Sequence, residues 1–443
     1  MDYDVVVIGS GAAARTVATA CADEGWRVAV CDHRPLGGTC MLRGCDPKKA
    51  LMSGTETVEA VRRMHGAGVA GELRIDWPAL MRFKRIFTDG VPERQMRGYA
   101  DRGIDVYRDT ASFVDEQRLR AGATELSARY FVLAIGAEPL PLPVAGAEHL
   151  SDSSRFLEFE RLPRRLALVG GGYIAAEFAH IAARAGADVT MIERNPRLLT
   201  GFDADLAERL RQDFAQLGVR VHTDTAVTSI APTRDGLRVD TAAGSYFDAD
   251  AVIHAAGRAP ALNQLQPERA GIEVANGALR LNEFLQSRSN PAVYAAGDAA
   301  GCGPPLTPVA GYDGRIVAAN LTRGNHARPD YRGTPSVVFT LPPLARVGLD
   351  EEQADASGYR FRVTAGDSSS WYSSRRLREP VSGFKVLIEE GSGAILGAHL
   401  LGPHAAEVIN LFALAIRHGL TDAQLRDTLY AYPTGASDIA SML

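Results

Sequence analysis

Cys40 and Cys45 are the residues whose type and spacing could do chemistry in this chain, because two cysteines that approach each other can form a reducible disulfide. On an ideal α-helix, positions five apart place their Cα atoms about 8 to 9 Å apart, whereas a disulfide needs roughly 4.4 to 6.8 Å. The backbone there must therefore be irregular. Gly44 and Pro47 permit this, because glycine accepts unusual dihedral angles and proline suits the first turn of a helix. A strained bridge of this kind is readily reduced.

The alternative interpretation of a cysteine is a buried, inert thiol, and we expect that for Cys21, Cys31 and Cys302. It is the weaker interpretation for Cys40 and Cys45, because a glycine-flanked pair beside a nucleotide-binding fold is where redox work occurs. Five cysteines in 443 residues make no disulfide framework.

Two glycine-rich turns, at 9–14 and 170–175, could position that pair beside bound nucleotides. Each turn has the pattern G-x-G-x-x-A, follows a strand-like run and opens a helix-like one. Glycine there allows a tight turn and close approach of the backbone, so that a pyrophosphate can lie on the helix N-terminus. One such turn is a weak signal, because ordinary strand-to-helix corners are also rich in glycine.

The spacing within the two units makes the signal strong. Asp32 lies 23 residues after Gly9, and Glu193 lies 23 residues after Gly170. Both acids end a strand, where a carboxylate would bond an adenosine ribose about 20 residues beyond the glycines. The first unit is longer by 40 residues, inserted directly after Asp32, and the cysteine pair lies in that insertion. The sequence therefore predicts two dinucleotide sites, the first beside the cysteines.

The composition restricts the function classes further. At about 150 residues per domain, 443 residues predict two to four domains. A formal net charge of −5 without a basic run argues against a nucleic-acid partner, and no apolar stretch approaches the roughly 20 residues that span a bilayer. Residues 1–4 carry acids and run straight into a strand, so they lack the basic start of a signal peptide. We expect a cytoplasmic protein with no membrane, nucleic acid or metal cofactor.

The segment 37–49, GGTCMLRGCDPKK, resembles the redox-active signature of the flavoprotein disulfide reductases, which include dihydrolipoamide dehydrogenase, glutathione reductase and mercuric reductase. The resemblance extends over essentially the whole chain. Residues 294–298, YAAGD, resemble the second FAD-binding motif, and residues 345–349, ARVGL, resemble the start of the dimerisation domain.

The resemblance implies an α/β fold with two Rossmann-like dinucleotide-binding domains and a C-terminal α+β dimerisation domain. It implies FAD in the first unit, NADH or NADPH in the second, and a homodimer. We expect an FAD-binding domain at 1–150 and 273–331, an NAD(P)-binding domain at 151–272, and a dimerisation domain at 332–443.

The resemblance also assigns the catalytic residues. In the family, hydride passes from NAD(P)H to the flavin, and the reduced flavin opens the disulfide. Cys45 would then lie next to the flavin, and Cys40 would be the interchange thiol that meets the acceptor. Lys48 and Glu177 match an ion pair near the flavin. Taken singly, Lys48 could be a phosphate or surface contact and Glu177 a solvated helix residue.

Cofactor contacts come from the same motifs. Asp298 matches the acid that orders the ribityl and phosphate region of FAD. Tyr173 falls where some members have an aromatic lid over the flavin, with plain packing as an equal alternative. The expected cofactor-binding residues are Gly9, Gly11, Ala14, Asp32, Gly38, Thr39, Lys49, Gly136, Gly297, Asp298, Thr307, Gly170, Gly172, Tyr173, Ile174, Glu193, Arg194, Gly257 and Arg258.

The choice of nicotinamide nucleotide depends on residues after the second strand. Glu193 favours NADH, because a carboxylate would repel a 2′-phosphate. Arg194 and Arg197 could instead hold that phosphate. The balance favours NADH, with NADPH tolerated.

The chain departs from the family near its C-terminus. Members that reduce thiol substrates end in His-Pro-Thr-x-x-Glu, whereas this chain has Tyr432 for the histidine and Ser437 for the glutamate, with Asp438 one beyond. A phenol with a pKa near 10 is a poor base at neutral pH, and acid–base assistance is worth about 10² to 10⁴ in rate. Glutathione or dihydrolipoamide turnover should therefore be feeble, although Tyr432 is kept among the catalytic residues.

Mercuric reductases also lack that histidine but carry a C-terminal cysteine pair, which this chain does not have. For His399 and His404, packing is a better interpretation than acid–base work.

Three functions remain open. The first is an FAD-dependent NAD(P)H oxidoreductase that passes electrons through Cys40 and Cys45 to an unidentified acceptor: a small-molecule or protein disulfide, a quinone, or a metal ion such as Hg(II). The second is an NAD(P)H:quinone or oxygen reductase working directly from the flavin. The third is a redox-sensing subunit that binds nucleotides without turnover, which Lys48, Glu177 and Asp298 argue against.

Overall fold

The computed structural model describes all residues, 1–443, and comprises twenty-three strands and fourteen α-helices. The strands are β1 Tyr3–Ile8, β2 Val28–Cys31, β3 Asp105–Tyr107, β4 Ala111–Asp115, β5 Arg118–Ala121, β6 Thr124–Leu133, β7 Ala137–Pro139, β8 Arg165–Val169, β9 Asp188–Ile192, β10 Arg220–His222, β11 Val227–Thr233, β12 Gly236–Thr241, β13 Tyr246–Ala249, β14 Ala251–His254, β15 Arg258–Pro260, β16 Val274–Ala275, β17 Ala278–Leu279, β18 Val293–Ala295, β19 Ser336–Val338, β20 Leu344–Gly348, β21 Phe361–Asp367, β22 Gly383–Glu389 and β23 Ile395–Leu401. The helices are α1 Ala12–Asp23, α2 Gly38–Arg43, α3 Cys45–Met64, α4 Trp77–Thr88, α5 Val91–Ala100, α6 Ser153–Phe156, α7 Tyr173–Arg184, α8 Ala204–Gln216, α9 Thr307–Arg323, α10 Glu351–Ala356, α11 Tyr372–Arg375, α12 Ala405–His418, α13 Asp422–Asp427 and α14 Ile439–Met442.

One compact unit comprises 1–48, 83–140 and 258–331. Its seven-stranded sheet has the order β3-β2-β1-β6-β5-β4, and β18 also pairs with β6. Strands β3, β2, β1, β6 and β18 run parallel, as expected for apolar strands covered on both faces. Helices α1 and α9 approach closely, because a Cβ added to Gly314 would lie 2.9 Å from the carbonyl oxygen of Ala13.

The other compact unit comprises 49–82, 141–257 and 332–443. It contains a four-stranded parallel sheet in the order β10-β9-β8-β14, which repeats the order β3-β2-β1-β6 of the first unit. Helix α7 follows β8 as α1 follows β1, and buries small side chains against the sheet, among them Ala175, Ala179 and Ala182. A three-stranded antiparallel sheet, β11-β12-β13, completes this region.

The C-terminal part of the second unit is an antiparallel sheet of five strands in the order β19-β20-β23-β22-β21. Helix α12 packs on this sheet through Val408, Ile409 and Phe412, which are buried in the same core. It ends at Gly419, whose positive φ of 68° suits glycine.

These sheets confirm the predicted fold class: two Rossmann-like units and a C-terminal α+β domain. The exact domain boundaries stay a prediction. None of the helices combines the length and apolar character needed to cross a bilayer.

Candidate active site

A break between two helices brings the cysteines into one place. Cys40 lies in α2, Cys45 is the first residue of α3, and Gly44 separates the two helices with φ −148° and ψ −113°. A Cβ on Gly44 would lie 3.0 Å from the carbonyl oxygen of Thr39, so a side chain there would require a shift. The predicted irregularity of the backbone is therefore present, at the glycine expected to permit it.

The two thiols differ in their tendency to ionise. Both are free in this structure; Cys45 Sγ lies 3.5 Å from Thr307 Oγ1, and Cys40 Sγ lies 3.8 Å from Asp46 Oδ1. A hydrogen bond from Cys40, together with the Thr307 hydroxyl and the charge of Lys48, lowers the pKa of Cys45 to about 6, although partial burial opposes this. The same contact raises the pKa of Cys40. Cys45 is thus the thiolate of the pair and Cys40 the thiol.

The first glycine-rich turn leaves no room for a side chain at Gly9. Gly9 has φ +109°, and a Cβ there would lie 2.2 Å from the carbonyl oxygen of Ala134. Gly38, with φ +70°, approaches Gly11 so closely that a Cβ on it would lie 2.4 Å from the Gly11 Cα atom. The glycine turn and the segment that carries the cysteines therefore meet backbone to backbone.

The acid that follows this turn is held from two sides. Ser10 Oγ donates to Asp32 Oδ2 at 2.6 Å, and the Arg34 amide donates to Asp32 Oδ1 at 2.9 Å. Ser10 is buried, and its hydroxyl also accepts from the Gly37 amide at 3.2 Å. One serine thus links Asp32 to the loop that leads to the cysteines.

Residues 294–298, which resemble the second FAD-binding motif, run from the end of β18 into a short 3₁₀ turn that precedes α9. Gly297 has φ +68°, and its amide donates to Asp313 Oδ2 at 3.0 Å. Asp313 is buried and also accepts from the Tyr331 hydroxyl at 2.9 Å. Burial raises the pKa of Asp298, and its carboxylate receives no hydrogen bond from another side chain. The Asp298 carboxylate could therefore accept hydrogen bonds from a ligand with hydroxyl groups, such as the ribityl chain of FAD.

The second glycine-rich turn repeats the geometry of the first. Gly170 has φ +115°, and a Cβ there would lie 2.4 Å from the carbonyl oxygen of Ala255. Glu193 is buried at the end of β9, and its Oε1 accepts from the Asn195 amide at 2.7 Å. A second dinucleotide therefore fits here as the first fits at Gly9.

The predicted site residues divide between the two units. Residues of the first unit are Gly9, Gly11, Ala14, Asp32, Gly38, Thr39, Cys40, Cys45, Lys48, Gly136, Arg258, Gly297, Asp298 and Thr307. Residues of the second are Lys49, Gly170, Gly172, Tyr173, Ile174, Glu177, Glu193, Arg194, Gly257 and Tyr432. The roles of all these residues remain proposals.

Residues 3–314 match the family model described as pyridine nucleotide-disulphide oxidoreductase, and residues 334–443 match the dimerisation domain of the same family. The chain belongs to this family. It is 30% identical to a mercuric reductase of Lysinibacillus sphaericus over 448 residues, covering 99% of this chain and 81% of that protein. It is also 30% identical to a glutathione reductase of Burkholderia cepacia over 443 residues, covering 100% of this chain and 98% of that protein. The fold is similar to a solved Cu(II) complex of the HOCl-induced flavoprotein disulfide reductase RclA from Escherichia coli, with a TM-score of 0.89, 28% identity and 99% of both chains covered.

Members of this oxidoreductase family depend on FAD and take electrons from NAD(P)H, which confirms the expected cofactors. The dimerisation domain indicates a homodimer. The acceptor is not identified by these similarities, since the relatives act on different ones.

Two further predicted site residues lie on α7. Glu177 is buried, and its Oε1 accepts from the Phe339 amide at 2.9 Å, so it is not the solvated residue of the alternative interpretation. Tyr173, the first residue of α7, is 45% exposed, which disfavours plain packing. An ion pair between Lys48 and Glu177 stays a prediction.

The C-terminal segment that departs from the family motif is exposed at Tyr432, whose relative accessibility is 78%. Thr434 and Ser437 cap a short turn through reciprocal hydrogen bonds, so Ser437 has a structural role. His399 is buried and bonds the carbonyl of Leu349 at 3.1 Å, as the packing interpretation predicts. His404 packs against Gly435, since a Cβ added to Gly435 would lie 2.4 Å from the Cβ of His404. Burial lowers the pKa of the His404 imidazole.

Sequence reasoning was wrong about Cys302, which is exposed, whereas Cys21 and Cys31 are buried as expected. The residue lies between two glycines in the loop before α9, where the chain has no regular element to bury it. Lys49, expected at a cofactor, has its ammonium 2.8 Å from Glu56 Oε1.

Sequence reasoning also missed Ser10, Asn195 and Asp313, whose side chains hydrogen-bond to Asp32, Glu193 and the Gly297 amide, respectively. The signal for Ser10 was its place between the two fingerprint glycines. The signal for Asn195 was its amide two residues after Glu193. The sequence offered no signal for Asp313.

Proposed function

We propose that this chain is an NAD(P)H-dependent flavoprotein that reduces a thiophilic metal ion, Hg(II) or Cu(II), through the Cys40–Cys45 pair. The observation that carries the proposal is a thiolate–thiol pair combined with tyrosine where thiol reductases have their acid–base histidine. When bound, FAD carries the electron pair from NAD(P)H to the cysteines.

The chemistry of the acceptor decides between a disulfide and a metal ion. Reducing a disulfide requires proton delivery to the leaving thiolate, and Tyr432 is poorly suited to it at neutral pH. A metal ion needs electrons and soft ligands but no proton, and thiolates are the ligands that soft metals prefer. The pair, with Cys45 as thiolate and Cys40 as thiol, would return to the disulfide and release one proton to water as one Hg(II) takes two electrons, or two Cu(II) take one each.

The relatives support the proposal. One similar protein is a mercuric reductase, and the similar solved structure is a complex with Cu(II). The chain itself has no cluster of three or more His, Cys, Asp or Glu side chains suited to a metal ion, which leaves the cysteine pair as the proposed place of contact.

The test uses the purified holoenzyme with NADH under anaerobic conditions and offers Hg(II), Cu(II), glutathione disulfide, lipoamide and a quinone in turn. We expect reduction of the metal ions, and its loss in both Cys40→Ser and Cys45→Ser. Cys302→Ser, which removes an exposed thiol outside the pair, is the matched control and should retain activity. Metal reduction that survives Cys45→Ser refutes the mechanism. Turnover of the quinone alone would favour direct reduction by the flavin.

A further inference from the structure

The carboxylates that end β2 and β9 occupy matching positions but are held differently. Asp32 uses both of its oxygens within the protein, one on the Arg34 amide and one on the Ser10 hydroxyl. Ser10 is the middle residue of the first G-x-G turn, so the short side chain of Asp32 reaches the hydroxyl of Ser10.

Glu193 lies at the equivalent position and uses only one oxygen. Its Oε1 accepts from the Asn195 amide at 2.7 Å and from Asn195 Nδ2 at 2.6 Å. Gly171 is the middle residue of the second turn, and a Cβ added there would lie 2.8 Å from Glu193 Oε2. The longer acid thus fills the space that Ser10 takes in the first unit. Its Oε2 accepts no hydrogen bond from the chain and retains accessible surface at the edge of a buried side chain.

The neighbouring cations do not neutralise this carboxylate. Arg197 directs its guanidinium to three backbone carbonyls, those of Thr200 at 2.9 Å, Phe202 at 3.0 Å and Leu199 at 3.4 Å. Arg194 is exposed. Of the two arginines considered for a 2′-phosphate, one is therefore committed to the fold.

We propose that Asn195 is a specificity-determining residue: it fixes Glu193 so that Oε2 accepts from the ribose hydroxyls of the adenosine, and this restricts the donor to NADH. The inference rests on the proposed use of a nicotinamide donor at this turn. A free 2′-hydroxyl supplies the proton that Oε2 requires. A 2′-phosphate supplies only acceptor oxygens and negative charge, and a charge beside a buried carboxylate is repelled.

Asn195→Ala removes the Nδ2 donor but keeps the backbone amide, so the carboxylate loses one of two restraints. We expect KM for NADH to rise about fivefold with kcat unchanged, and the preference for NADH over NADPH to narrow by a similar factor. Gly171→Ala displaces the same carboxylate from the other side and should act in the same direction. The added Cβ also lies 2.6 Å from Leu198 Cδ2, so the side chains of Glu193 and Leu198 must both shift.

The test measures kcat and KM for both nucleotides with ferricyanide as acceptor, and the dissociation constants of NAD⁺ and NADP⁺ by calorimetry. The matched control is Asn263→Ala, which removes an amide-to-carboxylate hydrogen bond of 2.9 Å to Glu138 elsewhere in the chain. It should leave both nucleotides unaffected. Equal affinity of the wild type for NAD⁺ and NADP⁺, or an unchanged KM for NADH in Asn195→Ala, overturns the proposal. Because neither measurement uses a metal ion, failure to reduce Hg(II) or Cu(II) would refute the proposed function and leave this inference standing.

Discussion

Replacing Cys40 by alanine tests the origin of the Cys45 thiolate. With a pKa of about 6, Cys45 is about nine-tenths ionised at pH 7. A hydrogen bond to an ionised group contributes about 1.5 to 3 kcal/mol, and the lower figure applies here because Cys45 keeps exposed surface although its thiol is partly desolvated. Its loss should lower the ionisation constant about tenfold, which leaves roughly half of Cys45 as thiolate at pH 7. Cys40→Ser keeps a hydroxyl donor and should stay close to the wild-type value.

The rate of alkylation by iodoacetamide, measured from pH 4.5 to pH 9, reports the thiolate fraction. Both variants are made in a Cys302→Ser background, which removes the other exposed thiol, and neither can close the disulfide. Reactivity should fall as pH drops through the pKa of Cys45, with the midpoint higher for alanine than for serine at position 40. Identical midpoints would refute the reasoning and leave the Thr307 hydroxyl and Lys48 as the stabilising groups.

Three other substitutions test separate parts of the structure. Ser10→Ala should weaken retention of FAD, because it leaves an oxygen of Asp32 and a backbone amide without their partner; gel filtration with flavin absorbance measures this, and full retention contradicts it. Glu59→Gln should lower the free energy of unfolding by about 3 to 5 kcal/mol, because Arg184, 3.2 Å away and buried, loses its charged partner; urea unfolding measures this, and a loss below about 1 kcal/mol argues against it. Tyr432→His should raise glutathione disulfide turnover at pH 7 by about 10² or more, and a rise below about tenfold would count against the acceptor assignment.

The fold could be predicted from the sequence because it repeats. The equal spacings from Gly9 to Asp32 and from Gly170 to Glu193 require equal strand–helix–strand geometry, and the two parallel sheets have the same strand order. Both first glycines have positive φ and a backbone carbonyl where a side chain would lie. Spacing of this kind involves residues close in sequence, so it predicts the local strand–helix–strand geometry directly.

The supporting contacts could not be predicted, because they join positions that spacing does not relate. Asp313 holds the amide of Gly297 from the second turn of α9, and nothing in the sequence between them indicates it. The predicted burial of Cys302 was wrong for a related reason, because small and apolar neighbours in an irregular loop do not ensure that a side chain is buried. A local sequence pattern therefore identifies the residues that would contact a ligand more readily than it identifies the residues that position them.

The helix break at Gly44 affects both the proximity of Cys40 and Cys45 and the pKa of Cys45. Because α2 ends before it and α3 begins after it, Cys45 becomes the first residue of a 20-residue helix. Its sulfur also contacts Thr307, the first residue of the 17-residue helix α9. Helix N-termini carry partial positive charge and lower the pKa of a cysteine beside them. The irregularity needed for two cysteines five positions apart to meet therefore also places one of them where a thiolate is stabilised. Substituting Gly44 should perturb both the proximity of the two cysteines and the ionisation of Cys45, whereas substituting Thr307 should perturb the ionisation and leave the proximity unchanged.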